Sequence, residues 1–506
     1  MTHVPSLHPP DEFNSELLTN VHPPTWQNPE PAEWYHMVVL GAGTAGLVTA
    51  AVAAGLGARV ALVERHLMGG DCLNTGCVPS KALIRSAREV ADIQRAGDLG
   101  VQLPSGMSVD FAAVMQRMRR LRAQISYNDS ARRFKELGVD VFIGRGQFTG
   151  PDTLSVDGVE LHFKRACIAT GTRPAMPRIE GLTEVGFLTN ESVFSLTERP
   201  PTVAVIGGGP VGTELAQALR RLGSAVMIFH TGQHLLSHDE EDAAVVVQNA
   251  LERDGVEIYL ECNITSVEQR RDGQKVLTYK MRGSEGQAAV REILVATGRV
   301  PNIEGIGLEA AEVEFDRLGV RVNDRLQTTN ANIYAAGDVA LDHKFTHMAD
   351  FAARIVVQNA LFKGRRKLSA LTVPWCTYTD PEVAHVGLTE KRAAAKGVKV
   401  KTFVRELRDV DRAVLDGDHD GFVKVHVKKG TDNIVGATIV ARDAGNMISE
   451  LTLAITAGVG LKKLANVIHP YPTQAEAIRQ VGDLYNKGRL SWAAKRLLKG
   501  MLAAVR

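Results

Sequence analysis

The sequence predicts an α/β fold in which two parallel-sheet units, the second inserted in the first, precede an α+β domain. Three observations lead there. A strand, glycine turn, helix and second strand occur in that order at 37–64 and again, 166 residues later, at 201–230. Two short apolar strands closed by Thr-Gly, CIATG (167–171) and LVATG (294–298), bracket the second copy. After 373 the pattern changes to alternating strands and a long amphipathic helix over 448–467. Parallel strands need crossover connections, and the repeated strand, helix, strand order supplies them.

Along the chain, residues 1–36 are rich in Pro, His and Asn, carry two HPP tripeptides and show no periodicity, so an extended N-terminal arm is expected. The first unit then spans 37–171, the inserted one 172–296, and the return of the first 297–371. An interface domain over 372–486 and a basic amphipathic tail over 487–506 complete the division. Within the first unit, 107–137 is helical by period, and its basic run Arg117–Arg122 reads as a solvated face.

Composition narrows the function. Hydrophobic residues make up 44% of the 506 and charged residues 23%, which excludes a disordered or fibrous chain. Lys+Arg 59 against Asp+Glu 57 leaves +2, too balanced for a protein devoted to nucleic acid. No uncharged run reaches the roughly 20 residues of a transmembrane helix. The amino terminus lacks the basic-then-apolar pattern of a signal peptide, so a cytoplasmic location is expected. Five cysteines in so long a chain make no disulfide framework. Cys167, Cys262 and Cys376 read as small buried hydrophobes. Cys72 and Cys77, within GGDCLNTGCVPSK, read as a redox-active or metal-binding pair, and no second Cys/His pair nearby completes a closed zinc site.

The glycine turns carry the first chemistry. Gly41, Gly43 and Gly46 match G-x-G-x-x-G, which lets backbone amides approach a pyrophosphate at a helix amino terminus. Glu64 ends the next strand, 18 residues after Gly46, where a carboxylate accepts from both ribose hydroxyls of an adenine dinucleotide. Gly207, Gly209 and Gly212 repeat the spacing, but His230 stands where the second carboxylate is expected. That substitution removes the usual NAD discriminator and points to NADPH over NADH.

Two dinucleotide turns and a dithiol suggest a relay from nicotinamide through flavin to sulfur. Together with the two ATG strands and AAGDVA, these motifs closely resemble those of the class I pyridine nucleotide-disulfide oxidoreductases over roughly 37–480. The resemblance implies two Rossmann-like domains, for FAD and NAD(P), a C-terminal dimerisation domain and a homodimer. It makes Cys77, at the start of a helix, the inner thiolate against the flavin, and Cys72 the outer thiol that meets substrate. It pairs Lys81 with Glu214, places Asp338 on the ribityl chain, and puts Thr170, Gly171 and Gly298 against the cofactors. Disulfide reductases of this family carry His-Pro-Thr and a downstream Glu near the carboxyl end. Here HPYPTQAE (469–476) aligns Tyr471 with that histidine and Glu476 with that glutamate, leaving His469 two residues earlier in a structural or solvent-facing role. A phenol with pKa about 10 is a poor proton donor at neutral pH.

Mercuric reductases also resemble this pattern, with tyrosine in that place, and reduce Hg(II) held by two thiolates. Hg(II) at Cys72 and Cys77 is therefore the expected substrate, with no structural metal. The sequence departs from that subfamily in lacking an amino-terminal Cys-x-x-Cys domain and a vicinal cysteine pair at the tail. A lipoamide or glutathione disulfide reductase is the alternative. A non-enzymatic flavin-binding partner protein at a membrane surface is a second alternative, with Trp492, Leu497, Leu498, Met501 and Leu502 as its apolar face. The competing expectation for that tail is packing on the dimer.

Overall fold

The computed structural model describes residues 5–489 and 492–505. Residues 1–4 of the arm, and Leu490, Ser491 and Arg506 of the tail, lie outside the described residues. The chain divides into two compact units, one of residues 1–231 and 261–371, the other of 232–260 and 372–506.

In the first unit, five parallel strands lie in the order Ile333–Ala335, Ala166–Ile168, Met37–Leu40, Val60–Glu64, Val139–Ile143. The central strand MVVL is buried throughout, as an apolar run without alternation requires when helices cover both faces. A second parallel sheet joins Ala225–Phe229, Thr202–Ile206 and Glu292–Val295. Since Ile333–Ala335 returns to the first sheet after all of these, the second parallel sheet is an insertion in the first, as expected. The two Thr-Gly strands are continued by Thr172–Pro174 and Arg299–Pro301, which pair antiparallel with each other. That pairing brings Thr172 and Arg299 together in the crossover.

The same tight packing recurs at both glycine turns. A Cβ on Gly46 would lie 1.7 Å from the Gly41 carbonyl oxygen, and one on Gly212 would lie 1.9 Å from that of Gly207. No side chain fits either place, so helix Thr44–Gly55 and helix Pro210–Arg221 rest directly on their own turns.

Two expectations for this unit are corrected. The arm is not simply extended, because Glu12–Val21 is a helix. Asp11 caps it by accepting from the Asn14 amide at 2.8 Å, and Leu17 and Val21, one turn apart, are buried. Nor is the basic run a solvated face throughout, for of its four arginines Arg120 alone is exposed. Arg119 and Arg122, on helix Phe111–Ser126, are buried. Arg119 Nε pairs with Asp11 at 2.5 Å, while Arg122 donates to the Asn74 carbonyl and to Asn14 Oδ1, both at 2.7 Å. The N-terminal helix supplies acceptors that sequence charge alone does not reveal.

The second unit holds a five-stranded antiparallel sheet in the order Pro374–Thr377, Glu382–Gly387, Ile434–Ala441, Phe422–Lys428, Val400–Glu406. Helix Ala444–Thr456 covers it through Ile448 and Leu451, and helix Glu476–Gly488 through Ile478 and Val481. Each such fully buried side chain contributes ~2 kcal/mol from apolar burial. The single helix expected over 448–467 is broken. Gly458 turns the chain at φ +66°, and a Cβ on Gly460 would meet the Asp432 carboxylate at 2.4 Å, so Leu461–Leu464 starts a separate turn. The tail forms a helix over Trp492–Ala504. Among the described residues no helix is long and apolar enough to cross a membrane.

Candidate active site

The cysteine segment is anchored by glycine against glycine. Gly70, at φ +58°, lies so close to the first turn that a Cβ there would stand 2.7 Å from Gly43 Cα. From this contact the chain makes a short helix, Gly70–Asn74, and then begins the long helix Cys77–Gln94. Cys77 is the first residue of that helix, where its unpaired amides favour a thiolate.

Cys77 is exposed and Cys72 half-buried. Their environments separate them. A hydrogen bond from Cys72 and then the Lys81 charge bring Cys77 down to about 6, against the opposing effect of burial. Cys72 is pushed well above the ordinary thiol range by that same bond, by burial and by the Cys77 charge. At neutral pH the pair therefore carries one thiolate and one proton, with the charge on Cys77. Lys81, one turn along the helix, pairs with Glu214 at 2.8 Å, and Glu214 is buried on helix Pro210–Arg221. The expected Lys81 and Glu214 contact is present.

Two partners of this segment escaped the sequence reading. Thr346, the first residue of helix Thr346–Phe362, donates to Cys72 Sγ at 3.2 Å and stands 3.5 Å from Cys77 Sγ. Arg299 donates to Thr172 Oγ1 at 2.7 Å and pairs with Asp71, the residue before Cys72, at 3.2 Å. Thr172 donates in turn to Asp338 at 3.0 Å. Burial holds the Asp338 carboxyl above its ordinary range, with Arg299 pulling the other way. The adjacent Gly298 was a legible signal for Arg299, while Thr346 had none.

The residues around the first turn suit an adenine dinucleotide. Helix Thr44–Gly55 has Gly43 at its N-cap and no side-chain cap, so its first amides suit a pyrophosphate. Glu64 accepts from the Ala42 amide at 2.7 Å and the His66 amide at 2.8 Å. A carboxylate offers about four acceptor sites, so capacity remains for a ribose hydroxyl. Burial raises the Glu64 carboxyl despite these amides. A Cβ added at Gly171 or Gly298, both at positive φ, would meet no atom within 4 Å, leaving room beside Thr170 and Asp338. Thr170 itself is fixed by donating to the Asn302 carbonyl at 2.7 Å.

At the second turn, Gly209 caps its helix with open space beyond. His230 Nδ1 accepts from the Gly208 amide at 3.2 Å, which puts the ring proton on Nε2.

In the second unit, Tyr471 is 70% exposed and its hydroxyl donates to Asp411 at 2.9 Å. That bond and the Asp411 charge raise the phenol above its usual range. Glu476 pairs with Arg479 at 2.8 Å. The His469 side chain is buried, with Nε2 3.1 Å from the Glu450 carboxylate and Nδ1 3.1 Å from the Val467 carbonyl.

Comparison with known proteins places these features. The family model described as pyridine nucleotide-disulphide oxidoreductase matches residues 35–360, and that of its dimerisation domain matches 373–481. A mercuric reductase of Staphylococcus aureus is 35% identical over 455 residues, covering 90% of this chain and 83% of the relative. A dihydrolipoyl dehydrogenase of Bacillus subtilis is 33% identical over 474 residues, covering 88% and 96%. Among solved structures, the HOCl-induced flavoprotein disulfide reductase RclA from Escherichia coli aligns with TM-score 0.79 at 27% identity, covering 89% of this chain and 100% of its own.

Proposed function

The chain belongs to the pyridine nucleotide-disulphide oxidoreductases, FAD-dependent enzymes, and from that premise we propose an NADPH-driven reductase of thiophilic metal ions, with Hg(II) as the model substrate. Bound FAD supplies the two-electron link between nicotinamide and sulfur. The first glycine turn, Glu64 and Asp338 would hold it, while the second turn and His230 would hold the nicotinamide nucleotide. The dimerisation domain supports a homodimer, and in that dimer Tyr471 would serve the other subunit's cysteines.

The residues of the chain divide the remaining work. Lys81, oriented by Glu214, holds negative charge on Cys77. The bond to Cys77, burial and the Cys77 charge keep the proton on Cys72, and Thr346, donating to Cys72 Sγ, favours its thiolate once substrate takes that proton. Hg(II) displaces that proton and is held by two sulfurs, a donor set that suits a soft cation. Two electrons convert it to Hg(0), and no sulfur–sulfur bond is cleaved, so no thiolate leaving group needs protonation.

The observation that carries this reading is Tyr471. In the place of the family's histidine stands a phenol whose proton is committed to Asp411 and whose acidity is weakened by it. A cysteine pair served by such a group is poorly equipped to protonate a departing thiol. RclA, a related reductase solved as a Cu(II) complex, gives independent support for a metal-ion acceptor. Steady-state NADPH oxidation on Hg(II) with excess thiol tests the proposal. Turnover that disappears in both Cys72→Ser and Cys77→Ser is expected, and no Hg(II)-dependent oxidation by wild type refutes it.

The second reading, a disulfide reductase, is favoured by the His469 and Glu450 pair, which offers an imidazole near Tyr471 in sequence. The match to dihydrolipoyl dehydrogenases at similar identity also supports it.

A further inference from the structure

The helix Trp492–Ala504 leaves its apolar side chains in the open. Leu497, Leu498, Met501, Leu502 and Val505 are all exposed, from 47% to 86%. At 100° per residue, Leu497 and Met501 stack one turn apart, and Leu498 and Leu502 stand beside them, which gives one continuous apolar stripe that Val505 follows just past the helix end. Lys495, Lys499 and Arg496 fall on the remaining arc. The guanidinium of Arg496 lies 5.3 Å from the Trp492 ring centroid, so the indole sits among the cations.

Charge decides what suits this face. Between Asp483 and Arg506 the sequence has six basic residues, Lys487, Arg489, Lys495, Arg496, Lys499 and Arg506, and no acidic one. The same helix from a second copy would bring like charges together on either side of the stripe. A surface that is apolar below and negative at its boundary satisfies both faces at once. Thirteen residues make a helix of roughly 20 Å, short of the ~30 Å hydrocarbon core, so the helix would lie in the interface and not cross it. The cationic stems would reach up to the headgroups, and Trp492 suits that depth.

We propose that this helix docks the enzyme on an anionic lipid surface, through the stripe Leu497, Leu498, Met501, Leu502, Val505 and the cations Lys495, Arg496 and Lys499. The inference is independent of the acceptor reduced at the cysteines.

Full-length holoenzyme sedimented with vesicles tests it. With phosphatidylcholine vesicles containing roughly a third phosphatidylglycerol, wild type should bind at least on the order of 10²-fold more tightly than with phosphatidylcholine alone, and high salt should release it. Each basic residue near such a surface strengthens binding roughly fivefold, so the triple change Lys495→Gln, Arg496→Gln, Lys499→Gln should weaken it on the order of 10²-fold. Leu498→Glu with Met501→Glu should abolish it, and both variants should oxidise NADPH in solution as wild type does. Should either variant fail to fold, a blue shift of wild-type tryptophan emission on adding the anionic vesicles, absent in Trp492→Phe, reads the same contact. Wild type remaining in the supernatant, or the charge-stripped variant pelleting like wild type, overturns the proposal. So does a wild-type assembly in sedimentation velocity that shrinks with Leu498→Glu and Met501→Glu while ignoring vesicles, since the stripe would then join copies of the chain.

Discussion

The imidazole of His230 accepts the Gly208 amide at 3.2 Å, in the place where the first half of the fold has the Glu64 carboxylate accepting the Ala42 amide at 2.7 Å. The two halves share one geometry and differ in charge. A carboxylate beneath the turn accepts from a ribose 2′-hydroxyl and repels a 2′-phosphate, whereas a neutral imidazole with its proton on Nε2 donates to the phosphate. His230→Glu should therefore shift kcat/KM from NADPH towards NADH by on the order of tenfold, about 1.4 kcal/mol. A wild type that already prefers NADH by that margin would refute the NADPH assignment.

The thiols should titrate far apart. In enzyme reduced at the pair, iodoacetamide should label Cys77 with a half-maximal rate near pH 6, rising with pH as the thiolate forms. Cys77→Ser should leave only slow labelling at high pH, because Cys72 holds its proton. Lys81→Met should move the Cys77 midpoint upward, by about one unit for each ~1.4 kcal/mol of lost attraction. A midpoint unchanged in Lys81→Met would deny Lys81 its role.

Arg122 ties the N-terminal helix to the cysteine segment. Its guanidinium bridges Asn14 Oδ1 and the Asn74 carbonyl, and Asn74 lies between the two cysteines. Arg122→Ala leaves buried acceptors without donors and should cost about 3 kcal/mol locally. Hydrogen exchange is the measurement. Protection should fall together in Glu12–Val21 and Gly70–Asn74, and a loss confined to one of them would contradict the bridge.

In the second unit, buried Glu240 accepts from His426 at 2.9 Å and pairs with Lys424 at 2.6 Å. Burial alone would raise its carboxyl, but these two bonds prevail and bring it down to about 2. A folded pKa below the unfolded value gives stability that is complete above about pH 4.5 and lost as pH falls towards 2. The wild-type advantage over Glu240→Gln should be on the order of 3 kcal/mol at neutral pH and vanish along that acid limb. An advantage constant from pH 7 to pH 3 in thermal unfolding would show that packing, not ionisation, is responsible.

The parts legible in the sequence are those where local spacing and chemistry coincide. Gly46 and Gly212 lie against their own turns, and Lys81 follows Cys77 by one helical turn, so short-range pattern exposes them. Thr346 is different, since it meets Cys72 across 274 positions and a lone threonine has no periodic signature. Arg119 and Arg122 look like a solvated face until the helix capped by Asp11 is laid beside them. The break at Gly460 is set by Asp432, a tertiary contact that overrides the apolar period of the helix.

Turnover of wild type, Tyr471→His and His469→Ala on Hg(II), lipoamide and glutathione disulfide tests the central claim most directly. General acid catalysis contributes ~10² to 10⁴-fold, so wild type should reduce both disulfides slowly while turning over Hg(II) with excess thiol. Tyr471→His should raise disulfide reduction and lower Hg(II) turnover, and His469→Ala should leave both nearly unchanged. Wild-type reduction of either disulfide at roughly 10 s⁻¹ or faster, lost in His469→Ala, would contradict the account, because His469 paired with Glu450 would then be the acid and the acceptor a disulfide.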